Sequence, residues 1–158
     1  MSPTVTDPAG PIDDFSAQFH WLSNFSPSPI DFEGDLYMTV ENAFQAAKTT
    51  DHRARALIRD CGPDEAKMRG MHVPLRESWD EMRVAVMESL IEAKFTIPAL
   101  RSRLIATAPR VIVNRNVFGD TFWGVCRGQG RNELGKAIMR VRDQLIEPST
   151  ESSGAQSQ

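Results

Sequence analysis

Glu41, Phe44, Gln45 and Lys48 are spaced i, i+3, i+4 and i+7, so a helix through them presents all four on one face. An acid, an amide, an amine and an aromatic ring on one face can line a polar pocket. The carboxylate there can move a proton or steady a developing positive charge. The same spacing describes a solvated Glu–Gln–Lys row with Phe44 dipping into the core, which is the commoner use of such a row. Lys94 follows Met87, Leu90 and Ile91 at seven, four and three residues, and so shares their apolar face. A lysine in that position either snorkels at an edge or is buried. Burial lowers its pKa and makes it a nucleophile able to form a Schiff base.

A third group lies in residues 114–136, NRNVFGDTFWGVCRGQGRNELGK. Asp120 can accept hydrogen bonds from sugar hydroxyls, and Phe122 and Trp123 can stack on a base or cover a ribose. Gly128 and Gly130 let backbone N–H groups turn toward an anion ahead of a helix N-terminus. The glycine spacing matches neither a P-loop nor a dinucleotide fingerprint. A Gly-rich connector carrying core aromatics accounts for the same residues. His20, His52, His72, Cys61 and Cys126 show no metal-ligand spacing, which predicts no metal and no zinc site. No nucleophile elbow is present, so acyl transfer has no support. Trp21 and Trp79 read first as core residues. The arginines interleaved along RSRLIATAPRVIVNR (101–115) form a modest basic patch or, more simply, a solvated face.

The elements that must position these groups are mostly helices. FSAQFHWLSNF (15–25) and IDFEGDLYMT (30–39), punctuated by Pro27, Pro29 and Gly34, read as short strands and loops. Thr39 is an N-cap for VENAFQAAK, and residues 51–60 continue as helix to Cys61-Gly62-Pro63. Pro63 opens PDEAKMRG at N1. The longest predicted helix runs Ser78–Phe95, with Ser78 as cap and Glu81 completing a capping box. Pro98 opens PALRSRLIAT, VIVNRN reads as a strand, and Asn132–Glu147 as an amphipathic helix with Leu134, Ile138, Val141 and Leu145 on one stripe.

The chain has 158 residues, one domain's worth, with 18 basic and 21 acidic residues and a net charge of −3. That balance argues against a protein that clamps a long duplex through many phosphates. No stretch approaches the ~20 apolar residues of a membrane span, so no membrane partner is expected. Two cysteines exclude a disulfide scaffold and suit a reducing, cytoplasmic compartment. Residues 1–13 and 148–158 are small, polar or Pro-rich and read as disordered tails around a folded part at 14–147.

WLSNFSPSPI, TVENAFQAAK, DEAKMRG, SWDEMRVAVM, AKF, DTFWG and GRNELGKAIMRVR occur in that order from about Phe15 to Leu145. Together they resemble the YbiA-like, or NADAR (NAD- and ADP-ribose-associated), superfamily. The resemblance implies an α+β fold, helix-rich with a small sheet, and chemistry at an N-glycosidic bond without a cofactor. It implies one of two substrates: ADP-ribose on modified guanine in nucleic acid, or early riboflavin-pathway intermediates carrying a ribose phosphate. In the first case, some members counter an ADP-ribosyltransferase toxin. A non-catalytic ADP-ribose- or NAD-binding module is a third reading, and the pairing of Glu41 with Lys94 argues against it.

By the same resemblance Glu41, Lys94 and Asp120 are the candidate catalytic groups. Asn24, Phe44, Gln45, Lys48, Trp79, Trp123 and Gly124 belong to the ribose pocket. Gly130, Asn132 and Gly135 stand on the phosphate side. Glu41 would stabilise positive charge at C1 or align a water, a neutral Lys94 would attack C1 of the opened sugar, and Trp79 or Trp123 would exclude water. Three positions depart from the family pattern. Asn114 stands where a Glu is common, Met71 follows Gly70 where Arg is common, and Cys126 replaces a Gly.

Overall fold

Thr39 starts the helix around which the other elements are arranged. Its backbone is extended and its Oγ1 accepts the Asn42 N–H at 3.0 Å, so the expected cap forms. Helix α1 (Val40–Ala47) follows, and all eight of its residues are buried. A helix that short is not stable alone in water. It is held by α2 (His52–Arg59), α3 (Pro63–Gly70), α4 (Trp79–Lys94) and the hairpin of β1 (Ile30–Phe32) and β2 (Asp35–Tyr37), which pack around it. Asn42 ties two of these together: its Nδ2 donates to the Ile58 and Cys61 carbonyls, both at 2.8 Å, docking the end of α2 on α1. The hairpin pairs Ile30 with Tyr37 and Phe32 with Asp35. Its turn residues Glu33 and Gly34 both have positive φ, 47° and 90°, as a two-residue hairpin turn requires.

The second half of the chain closes the other side. The amphipathic stripe of α6 (Glu133–Ile146) buries Leu134, Ile138 and Val141 against α4 and α5 (Pro98–Ala106). Arg142, 5% exposed, donates from Nη1 to Thr107 Oγ1 at 3.1 Å and to the Arg110 carbonyl at 2.7 Å. Strands β3 (Arg115–Asn116) and β4 (Val125–Cys126) form a short parallel pair. The result is α+β and helix-rich, with two two-stranded sheets among the described residues. The computed structural model describes residues 10–147, so residues 1–9 of the predicted tail at 1–13, and the whole predicted tail at 148–158, lie outside the described residues. No described helix is long and apolar enough to cross a membrane.

Several elements differ from the sequence reading. The folded body begins before residue 14: Ile12 is 1% exposed and pairs with Ile112, exchanging hydrogen bonds with Val111 and Val113 at 2.8 Å. Residues Ala17–Leu22 form a 3-10 helix rather than a strand or loop. Residues 51–60 do not continue the preceding helix. Asp51 begins a new one, its side chain accepting the Ala54 N–H at 2.9 Å. Ser78 makes no capping box, because its backbone is left-handed (φ 61°) and not in the extended region from which a hydroxyl reaches the first turn. VIVNRN is not one continuous strand: Ile112 bridges Ile12 and Arg115–Asn116 form β3, and between them the Asn114 N–H is taken by a side chain, Asn132 Oδ1, at 2.8 Å.

Asn132 pins this region from both ends of its amide, with Nδ2 donating to the Ile112 carbonyl at 3.0 Å while its backbone stands at φ 53°. N132A removes both bonds and places Ala in the left-handed region. It is expected to cost about 2–4 kcal/mol in urea denaturation. An unchanged unfolding midpoint would show that the amide does not hold the loop.

Candidate functional site

The polar face of α1 is not a solvated row. Glu41 is 8% exposed and Gln45 5%, and Gln45 Nε2 donates to Glu41 Oε1 at 2.8 Å. Gly70 of α3 backs onto this amide so closely that a Cβ there would collide with Gln45 Oε1, itself buried without a partner. Burial pushes the Glu41 carboxyl above its usual range. The Gln45 hydrogen bond and the Lys67 and Lys48 charges oppose that rise, and the Asp120 charge adds to it. Burial also lowers Lys48, against the attraction of Glu41 and with the repulsion of Lys67 and Arg83. One acid thus shares a field with Asp120 and three cations. Lys48, Lys67 and Arg83 make no ion pair within 4 Å among the described residues. Arg83 Nε is buried without a hydrogen-bond partner.

Aromatic rings frame these charges. Phe44 lies 5.3 Å from both Trp79 and Trp123, and Phe122 meets Trp123 edge-on at 4.8 Å. The Arg83 guanidinium stacks 3.7 Å from the Phe122 ring, and Lys67 sits 4.6 Å from that of Phe118. The predicted residues Glu41, Phe44, Gln45, Lys48, Trp79, Asp120 and Trp123 are therefore brought together. Lys67, Arg83 and Phe118 were missed, although the DEAKMRG and SWDEMRVAVM blocks contain the two cations. Spacing could not reveal them, since each comes from a helix other than α1.

Asp120 serves the wall as much as the pocket. Its Oδ1 accepts the N–H groups of Phe122 and Trp123 at 3.1 and 2.9 Å, fixing both rings. The helix N-terminus expected behind Gly128 and Gly130 has its first N–H groups taken. The N–H groups of Asn132, Glu133 and Leu134, at the start of α6, donate to the carbonyls of Gly124, Phe122 and Trp123 at 3.0–3.3 Å. The helix end that would attract a phosphate is filled by its own loop. Gly124, Gly130 and Gly135 have a packing role instead: a Cβ on each would run into Asn114 O, Gly124 O and the Asn132 side chain, respectively. These glycines and Asn132 form a scaffold for the aromatic wall.

Lys94 does not snorkel. It is 0% exposed, and its Nζ donates to the Ser23 carbonyl at 2.9 Å. Burial alone lowers its pKa to about 7, and no carboxylate acts on it, so Lys94 and Glu41 are not an ion pair. They are joined through the backbone: the next carbonyl, that of Asn24, accepts the Glu41 N–H at 3.0 Å. Asn24 itself is buried, its Nδ2 against Met87 Sδ at 3.6 Å and its Oδ1 without a partner.

The buried amine has a consequence for stability. The unfolded chain holds the Lys94 proton up to the ordinary 10.5, whereas the folded chain releases it near 7. Stability therefore falls as pH drops from 10.5 to about 7 and stays at the lower level below that. K94M should leave the protein more stable than wild type at pH 7, by on the order of 3–4 kcal/mol after loss of the Ser23 bond. The gap should close toward pH 10 in denaturant titrations, and a pH-independent gap would contradict a depressed Lys94.

Residues 12–146 match the NADAR domain model. The chain is 38% identical over 129 residues to N-glycosidase YbiA of Escherichia coli K12, covering 78% of this chain and 80% of that protein. It is 33% identical over 148 residues to the chloroplastic riboflavin biosynthesis protein PYRR of Zea mays, covering 81% of this chain and 24% of that one. The NMR structure of E. coli YbiA superposes with a TM-score of 0.78 at 34% identity, covering 94% of this chain and 90% of that one. The chain belongs to the NADAR domain family.

Proposed function

We propose that this chain is an N-glycosidase that cleaves the bond between C1 of a phosphorylated ribose and a nitrogen, with ADP-ribose carried on guanine of DNA or RNA as substrate. The observation that carries this reading is Glu41, a buried acid that feels the charges of Lys48 and Lys67, with Arg83 acting on Lys48 in turn. Departure of the nitrogen builds positive charge on the ribose ring, which the Glu41 carboxylate opposes. Its raised pKa also suits it to take a proton from the attacking water and return it to the leaving nitrogen. Water supplies the hydroxyl to C1 and the proton to the base, so the reaction balances with no further reagent. Lys48, Lys67 and Arg83 provide the potential for phosphate, and three cations suit a diphosphate better than a single phosphate. Phe44, Trp79 and Trp123 keep bulk water away. Asp120, with Oδ1 committed to the loop, has its other oxygen left for a ribose hydroxyl.

A second substrate reading, a riboflavin-pathway intermediate with a ribose phosphate on a pyrimidine, is favoured by the name of the Zea mays relative. Offering both substrates and following products by mass separates the two. Free ADP-ribose and restored guanine support the first, and cleavage of the pyrimidine riboside alone replaces it. Binding of both without cleavage would leave only a recognition module. E41Q should lower turnover about 10²–10⁴-fold with the fold intact. The acid limb of the wild-type rate, lying above the ordinary carboxylate range, should disappear with it.

A covalent route has its own signature. A neutral Lys94 attacking C1 of the ring-opened sugar would displace the base, whose nitrogen leaves with a proton from the amine, and the resulting Schiff base would be hydrolysed by water to free sugar and the restored amine. Borohydride added during turnover should then leave sugar mass on Lys94. An unmodified Lys94 assigns the reaction to direct hydrolysis at Glu41.

A further inference from the structure

Between Glu92 and Asp120 the chain has no carboxylate side chain, while Lys94, Arg101, Arg103, Arg110 and Arg115 lie there, in a protein of net charge −3. The fold gathers part of this charge at a groove of about 420 Å³ between the 3-10 helix and α5, lined by Gln18, Phe19, Trp21, Arg103, Thr107 and Arg110, with Ala106. None of the residues assigned to the Glu41 site lines it. Arg103 is exposed, and the Arg110 guanidinium lies 5.4 Å from the Phe19 ring. Arg142 stands beneath the groove, holding the Thr107 hydroxyl and the Arg110 carbonyl. It makes no ion pair within 4 Å among the described residues, its Nε is buried without a partner, and Asp143 is the one carboxylate whose charge acts on it. A buried guanidinium with so little compensation favours an anion above it. Among the described residues none that lines the groove is a carboxylate; the smaller adjoining hollow, which shares Arg110, holds Asp13, paired with Arg115, and Asp14, bonded to Ser16.

Cations beside flat rings are the elements that hold single-stranded nucleic acid: a ring stacks a base and a guanidinium takes the phosphate. The groove is tied to the candidate site through the chain and the packing of residues 21–24. Trp21 packs edge-on against Phe95 at 6.3 Å, Ser23 accepts Lys94, and Asn24 accepts the Glu41 N–H. Three residues of chain reach at most about 11 Å, so an edge of the groove lies close to the start of α1.

We infer that the groove between the 3-10 helix and α5 is an exosite for the single strand flanking the modified base, with Phe19 or Trp21 stacking a base and Arg103 contacting a phosphate. This rests on the nucleic-acid reading of the substrate, but its test does not use catalysis. Fluorescence anisotropy with a labelled, unmodified 12-nucleotide single-stranded DNA measures binding by the full chain. R103Q, at an exposed position, should bind about fivefold more weakly at 0.1 M salt and reduce the slope of log affinity against log salt by about 0.7, the value for one single-strand phosphate contact. R53Q, which removes an exposed arginine of α2 outside the groove, should bind as wild type does. Absence of wild-type binding, an R103Q slope equal to wild type, or equal competition by poly-glutamate would overturn the exosite. Binding with these properties alongside failure to release ADP-ribose from guanine would leave the exosite standing and remove the proposed substrate instead.

Discussion

Complete burial of α1 is the constraint on which the candidate site depends. A helix carrying Glu, Asn and Gln can be enclosed only if its polar groups find partners inside the protein. Asn42 does so through the carbonyls at the end of α2, and Glu41 through Gln45 one turn along. What remains after those bonds is concentrated on one side: an acid raised by desolvation, an amide oxygen without a donor, and cations from α1, α3 and α4 facing the same field. The raised pKa of Glu41 is thus a consequence of how tightly α2, α3 and α4 close on α1. Gly70 shows the tolerance, since the missing side chain is what allows α3 to reach the Gln45 amide.

The opposite wall is built by a different device. Residues 114–132 have almost no sheet, so their backbone is satisfied by side chains. Asn116 Oδ1 accepts the N–H groups of Phe118 and Asp120, and Asp120 Oδ1 those of Phe122 and Trp123. Carbonyls of the same loop cap α6. The positive end of that helix is spent on holding Trp123 and Phe122 in place, and the positive potential of the pocket comes from side chains instead. Guanidinium stacking on Phe122 by Arg83 and Arg131, at 3.7 and 4.8 Å, joins the wall to those cations.

How much of this was legible in the sequence depended on whether the deciding interaction was local. The Thr39 cap, Pro63 at N1 and the apolar stripe of α6 involve neighbours within a turn or two and were read correctly. The four residues on one face of α1 were also legible, but not whether that face met water, because α2, α3 and α4 decide it from elsewhere in the chain. Lys94 was ambiguous for the same reason: its spacing put it on an apolar face, and only the Ser23 carbonyl explains how an amine can stay there. Ser78 misled because a capping-box pattern says nothing about a left-handed backbone. The glycines near α6 misled because close backbone approach and anion binding call for the same residue type. Family resemblance supplied what spacing could not, grouping Glu41, Asp120 and the two tryptophans and reading Asn132 and its neighbouring glycines as scaffolding, the kind of contact they make.

The successive carbonyls of Ser23 and Asn24 carry a mechanical consequence. One takes the amine of Lys94 and the other the first-turn N–H of Glu41. The two bonds fasten one short stretch of backbone at once to the C-terminal end of α4 and to the first turn of α1, so residues 23–24 are the point where these two helices are held in register.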